Sequence, residues 1–201
     1  MHPSWSQDTY IKAYRFAASA HRWQLVPGTS IPYIMHLSFV AMEIIAAVGR
    51  AGIEPASPTP APRGAGAVPL PSALDQDLAV QCALLHDVLE DTLVRYDRVE
   101  ATFGEPVARG VLALTVNKKL RRPEQMPECL GRIRAQPREI WMVKLADRIT
   151  NLQPPPKHWS KARVREYHRE AQVIHAALKE ASPFLAERLS LKISDYAAFA
   201  T

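Results

Sequence analysis

The stretch DQDLAVQCALLHDVLEDT, residues 75–92, is where the fold first becomes readable. Leu78, Cys82, Leu85 and Leu89 recur three and four residues apart, which puts their side chains on one face of a helix. Asp75 precedes the first apolar residue and has the chemistry of an N-cap. The same period runs upstream through Tyr10, Ala13, Tyr14, Ala17 and Ala18, and then, past a loop carrying Pro27, Gly28 and Pro32, from about His36 to Val48. Downstream, short helices are expected over about Tyr96 to Thr102 and Pro106 to Val116, with Gly104 between them. Trp141, Leu145, Ile149 and Leu152 mark another helix, stopped by Pro154-Pro155-Pro156, which cannot continue helical hydrogen bonding. Helices over about Val164 to Lys179 and Phe184 to Ile193, divided by Ser182-Pro183, complete the set. No stretch alternates as a strand would, so the expected fold is all-α.

One segment interrupts the pattern. Residues 54–72 read EPASPTPAPRGAGAVPLPS, a Pro/Ala/Gly tract that can neither sustain a helix nor build a core. Too little chain precedes it for a separate domain, so it is expected to be a flexible insertion within a single domain spanning residues 1–201. The composition, 47% hydrophobic and 22% charged over 201 residues, suits one ordinary globular domain. Two cysteines, Cys82 and Cys129, are too few for a secreted disulfide framework and fit core thiols in a reducing, cytoplasmic setting. No apolar run reaches membrane-spanning length and no signal peptide is visible, so neither membrane nor secretion is expected. The net charge of +5 favours anionic partners, but without a dense Lys/Arg tract no nucleic-acid partner is expected.

The residues able to do chemistry sit in three strings. In ALLHDVLEDT, helical spacing places His86 with Glu90 and Asp87 with Asp91 on one broad acidic face. Carboxylates crowded in this way repel one another unless a cation sits among them. PYIMHLSFVA puts His36 at the start of a helix, and MVKLADRITNL puts Asp147 inside an apolar one, with Asn151 a turn later. A buried carboxylate wants a metal, a salt bridge or a hydrogen bond, and Lys144 and Arg148 are the plain salt-bridge partners for Asp147. Taken together, His36, His86, Asp87 and Asp147 make a mixed imidazole–carboxylate set suited to manganese, iron or zinc. Glu90 and Asp91 would remain free to orient a water or accept its proton. His2, His21, His158, His168 and His175 have no comparable company.

The ordered series His36, His86-Asp87, Asp147 resembles the HD metal-dependent phosphohydrolases. The strings HDVLEDT and VKLADRITNL are similar to the hydrolase domain of RelA/SpoT proteins, especially the small alarmone hydrolases, over about Thr9 to Leu178. The resemblance implies a helical HD domain that removes the 3′-pyrophosphate of guanosine tetra- or pentaphosphate, releasing pyrophosphate and GDP or GTP with manganese as the usual metal. It implies His36, His86, Asp87 and Asp147 as metal ligands, and Glu90 and Asp91 as the acids that position and activate water. Lys118 in LTVNKKL and Asn151 match substrate contacts, and Trp159, Arg163 and Tyr167, one stripe of a helix, match residues lining the nucleotide site. With 201 residues, no synthetase or regulatory domain is expected alongside.

The chain departs from that pattern in HRWQLVPGTSIPYIMHL, where Leu25 and Val26 stand at positions expected to be basic and Leu37 replaces a proline. Each charge-assisted hydrogen bond to phosphate contributes about 1.5–3 kcal/mol, so the substitution bears on which nucleotide is bound. Two alternatives follow. One is a hydrolase of another phosphorylated nucleotide, such as a 2′-phosphorylated dinucleotide or a nucleoside monophosphate. The other is a non-catalytic nucleotide-sensing module, which would have no need of Glu90 and Asp91.

Overall fold

The computed structural model describes residues 5–51 and 74–201. The insertion expected at 54–72 lies outside the described residues, as does His2. The described chain is all-α: α1 (Gln7–Ala20), α2 (Ile34–Ala51), α3 (Gln76–Leu85), α4 (Val88–Asp91), α5 (Tyr96–Phe103), α6 (Glu105–Leu114), α7 (Arg122–Arg134), α8 (Arg138–Asn151), α9 (Lys161–Leu178) and α10 (Pro183–Tyr196). The extended pairing found among the described residues is a single antiparallel bridge between Leu25 and Pro32. None of the described helices is long and apolar enough to cross a membrane.

Two helices form the centre, and both carry candidate site residues. Helix α3 packs against α1, α2, α6 and α8. It is apolar nearly all round, with Leu78, Ala79, Val80, Cys82, Ala83, Leu84 and Leu85 buried, as a helix enclosed on every side must be. Helix α8 packs against α2, α3, α6, α7, α9 and α10, burying Ile140, Val143, Leu145, Ala146 and Ile149. Gly110 lets α6 come in closely: a Cβ there would meet Ile140 Cδ1 at 2.5 Å and Cys82 Sγ at 2.9 Å. Cys82 and Cys129 are free and fully buried, as core thiols should be.

The ends of α3 are fixed as firmly as its sides. Asp75 is its N-cap, the side chain accepting from Leu78 N at 2.9 Å. The backbone N of Asp75 donates in turn to buried Glu139 of α8 at 2.7 Å, and Asp77 accepts from Ser6 N at 2.7 Å. Helix α2 is fastened to α10 by an ion pair between buried Glu43 and Arg188.

Two elements differ from the sequence reading. The sequence reading leaves residues 122–134 without a helix, yet α7 forms there with Pro123 in its first turn and Pro127 inside it, burying Cys129, Leu130 and Ile133. Arg132 docks this helix by donating to Leu112 O and Thr115 O at the end of α6, a long-range bond that no local pattern announces. ALLHDVLEDT is also not one helix. Helix α3 stops at Leu85, His86 and Asp87 form a turn, and the four-residue α4 follows. The broad acidic face expected from continuous helical spacing is therefore replaced by two groupings, His86 with Asp87 and Glu90 with Asp91.

Candidate metal centre and its surroundings

The turn after α3 sets His86 and Asp87 side by side, with His86 Nε2 at 3.0 Å from Asp87 Oδ2. His36 enters from the first turn of α2 and Asp147 from the third turn of α8. Three separate helical elements thus deliver His36, His86 and Asp147 to one point, all of them buried. His36 Nε2 is 3.3 Å from His86 Nε2 and 3.5 Å from Asp147 Oδ1, which is 3.7 Å from His86 Nε2. Ligands about 2.0–2.2 Å from a shared ion lie about 3.0–3.5 Å apart at octahedral to tetrahedral angles, so the spacing fits a metal. Their three ligand atoms lie within 4.8 Å of one another. Asp87 stands at the rim of this group, its Oδ2 also 3.6 Å from His36 Nε2.

The donor chemistry points the same way. His86 Nδ1 donates to Ala83 O at 2.8 Å, which leaves Nε2 of the neutral ring as a lone pair aimed at the centre. That lone pair, a second imidazole nitrogen and carboxylate oxygens repel one another unless a proton or a cation lies among them. Without a metal the proton must serve. Burial opposes charge on His86, but the Asp87 carboxylate and its hydrogen bond, with Asp147 behind, outweigh it and raise the imidazole to about 9. Burial likewise opposes charge on Asp87, and the His86 cation overcomes it to hold the carboxyl at about 2. Asp147 is also held well below the usual carboxylate range, where Lys144 and the two histidines overcome the cost of burial.

These shifts set the pH dependence expected of chelator-treated protein. His86 titrates near 6.5 when unfolded and near 9 when folded, so its contribution is complete below pH 6.5 and lost as pH rises through 9. Asp87 moves from 3.8 to about 2, so its contribution is present above 3.8 and lost as pH falls through 2. Thermal midpoints measured in chelator should therefore fall on both sides of a maximum between about pH 4 and 6.5. A midpoint that holds steady from pH 6.5 to 9.5 would contradict the protonated-histidine description.

Asp147 is braced at both carboxylate oxygens. Lys144, almost fully buried, donates to Oδ2 at 2.9 Å, and Asn151 Nδ2 donates to Oδ1 at 2.6 Å. Of the two salt-bridge partners considered from sequence, Lys144 takes the role. Arg148 turns away to Glu170, at 3.5 Å, and lies 4.2 Å over the Tyr167 ring.

Glu90 and Asp91 form a second grouping with Lys118. Glu90 Oε2 accepts from Val116 N at 2.8 Å, and Lys118 Nζ lies 3.3 Å from Glu90 and 3.4 Å from Asp91. Lys118 is thus held by the acid pair itself in this structure. Two open grooves flank the pair: one of about 650 Å³ bordered by Trp23, Gln24, Asp91, Arg95 and Arg98, and one of about 510 Å³ bordered by Glu90, Asn117, Lys118, Lys119 and Arg132. Neither groove is lined by His36, His86 or Asp147.

Arg163 and Tyr167 lie on α9, but Trp159 precedes its N-cap, Ser160, so the expected single helical stripe is replaced by an aromatic cluster at the helix start. Trp159 and Tyr167 meet edge to face at 5.2 Å, and the Arg163 guanidinium lies 5.1 Å from the Trp159 ring while bonded to Glu166 at 2.8 Å. His168 and His175 bond carbonyls of α10, Ile193 O and Ala186 O. The 22–31 loop exposes Trp23, Leu25 and Ile31, and Arg22 stacks on Trp23. Sequence reasoning missed Tyr33, whose hydroxyl donates to Asp87 Oδ2 at 2.6 Å. Its signal was available in its place three residues before His36.

A family profile for the HD domain matches residues 66–183. The chain belongs to the HD domain family. Among curated HD relatives, the guanosine-3′,5′-bis(diphosphate) 3′-pyrophosphohydrolase MESH1 of Danio rerio is 33% identical over 114 residues, 55% of this chain and 63% of that protein. The Homo sapiens MESH1 is 34% identical over 116 residues, 56% of this chain and 65% of that protein. The chain thus spans slightly less than two thirds of these relatives' length. A solved structure described as a metazoan ortholog of SpoT that hydrolyzes ppGpp superposes with a TM-score of 0.74 at 22% identity, covering 95% of this chain and 97% of that one. This likeness establishes the all-α HD fold.

Proposed function

We propose that this HD protein is a metal-dependent hydrolase that removes the 3′-pyrophosphate of guanosine tetra- or pentaphosphate, yielding pyrophosphate and GDP or GTP. The observation that carries the reading is the convergence of His36, His86 and Asp147, with Asp87 at the rim, from three separate helical elements. The curated relatives supply the substrate class. The four residues serve as ligands of one divalent ion, with manganese as the metal. The metal, when bound, supplies a Lewis acid for a phosphoryl oxygen and acidifies water.

The chain's own groups do the rest. Glu90, anchored through Val116 N, accepts a proton from the attacking water, and Asp91 orients that water. Attack falls on the phosphorus nearest the 3′ oxygen and expels the nucleoside 3′-hydroxyl. Lys118 leaves its ion pairs with the acids to meet substrate phosphate, and Arg163 and Asn151 steady the anion. Trp159 and Tyr167 line the nucleotide side. Residues 1–201 act as one domain, with a cytoplasmic place of action that suits two free cysteines.

The test is product analysis after manganese-loaded protein meets guanosine tetraphosphate. Pyrophosphate and GDP are expected in equal amounts. A second reading, hydrolysis of a different phosphorylated nucleotide, is favoured by Leu25, half exposed where a cation is expected. Metal bound without turnover, followed by orthophosphate release from a 2′- or 3′-phosphorylated nucleotide, would replace the first reading by the second. Nucleotide binding with no turnover of any of these substrates would instead leave a sensing module.

A further inference from the structure

The loop before α2 is built around Tyr33. Gln24 N donates to His21 O at 2.9 Å, Tyr33 N donates to Gln24 O at 2.9 Å, and Val26 N donates to Ile31 O at 2.8 Å. Gln24 Oε1 also pairs with His21 Nδ1 at 2.6 Å, which fixes the His21 ring. These bonds clamp the Tyr33 ring between two imidazoles, stacked on His21 at 5.2 Å and tilted against His36 at 5.3 Å. The hydroxyl is thereby aimed at Asp87 Oδ2, the oxygen that also faces His86 Nε2 and His36 Nε2.

A ligating carboxylate on a freely turning side chain loses rotational freedom when it binds, and a fixed donor on one oxygen removes that loss beforehand. Asp147 has such donors in Lys144 and Asn151, whereas the non-histidine donor to the Asp87 side chain among the described residues is Tyr33. We infer that Tyr33 is a positioning residue for the metal centre: its hydroxyl orients the Asp87 carboxylate, with His21 as the back wall that holds the phenol in place. The inference rests on the metal-site reading given under Proposed function. It assigns to the 21–33 loop a role in holding the ion, in addition to whatever that loop presents to a nucleotide.

The test is Tyr33→Phe, which keeps the stacked ring and removes the hydroxyl, with manganese alone as the probe in a calorimetric or EPR titration. The dissociation constant should rise about 10- to 100-fold, the usual cost of losing a bond that orients a ligand. At saturating manganese, KM for the nucleotide should stay at the wild-type value. Asp87→Ala should weaken binding as well, and adding Tyr33→Phe to it should cause no further loss, because the hydroxyl acts through Asp87. Wild-type affinity in Tyr33→Phe overturns the inference and leaves the site reading intact, as does an equal loss with and without Asp87. Absence of manganese binding by the wild-type protein overturns both.

Discussion

Glu90→Gln should lower turnover about 10²- to 10⁴-fold, the range for removing a positioned proton acceptor, while manganese binding stays at the wild-type level. The substitution is conservative where the fold is concerned. Glu90 accepts from Val116 N at 2.8 Å, and the amide oxygen of glutamine can keep that bond. Its pairing with Lys118, at 3.3 Å, joins an exposed lysine, and such pairs contribute little to stability. What the variant loses is the ability to take a proton from water. Single-turnover measurements with guanosine tetraphosphate, beside a metal titration, separate these effects. A rate within tenfold of wild type would move the proton-accepting role to Asp91 or to solvent.

Asp147→Asn should have two separable effects, loss of stoichiometric metal and a lower thermal midpoint even in chelator. Metal is lost because Asp147 Oδ1 is one of the three converging ligand atoms. The midpoint falls because Lys144, 8% exposed and bonded to Oδ2, is left as a buried charge without its counter-ion. Breaking one side of such a pair costs about 3–5 kcal/mol. At about 2–4 °C per kcal/mol for a domain of this size, the midpoint should drop by roughly 10 °C. Removing the lysine as well, in Lys144→Met/Asp147→Asn, should restore much of the midpoint and none of the metal. A double variant that recovered both would show that Asp147 serves only as Lys144's partner.

The sequence made the fold legible wherever burial and periodicity coincide. Helices α3 and α8 are apolar and central, and the Asp75 cap was visible from its position. Helix α7 was not legible, because Pro123 and Pro127 argue locally against a helix, although Met126, Cys129, Leu130 and Ile133 recur at helical spacing and pack into the core. The four ligand candidates were legible as residue types, and three of their ligand atoms converge closely. Their relation to Glu90 and Asp91 was not, because helical spacing assumes a continuous helix and the turn at His86-Asp87 interrupts it. Lys118 was expected to face substrate, and the structure shows it between the two acids. Tyr33 was missed because its partner, Asp87, lies 54 positions away in sequence.

The tethers at the start of α3 bear on how such a chain can diverge. Asp75 N is held by Glu139, Leu78 N by Asp75, and Asp77 by Ser6 N, so a local cap and two bonds to distant parts of the molecule fix the point where the chain enters the ligand-bearing helix. Substitutions, gains or losses of residues ahead of that point arrive at an anchored post, and the register that delivers His86 and Asp87 is set beyond it. A change in the length of the 54–72 tract is therefore expected to leave the register of His86 and Asp87, and with it manganese affinity, as in the wild-type protein.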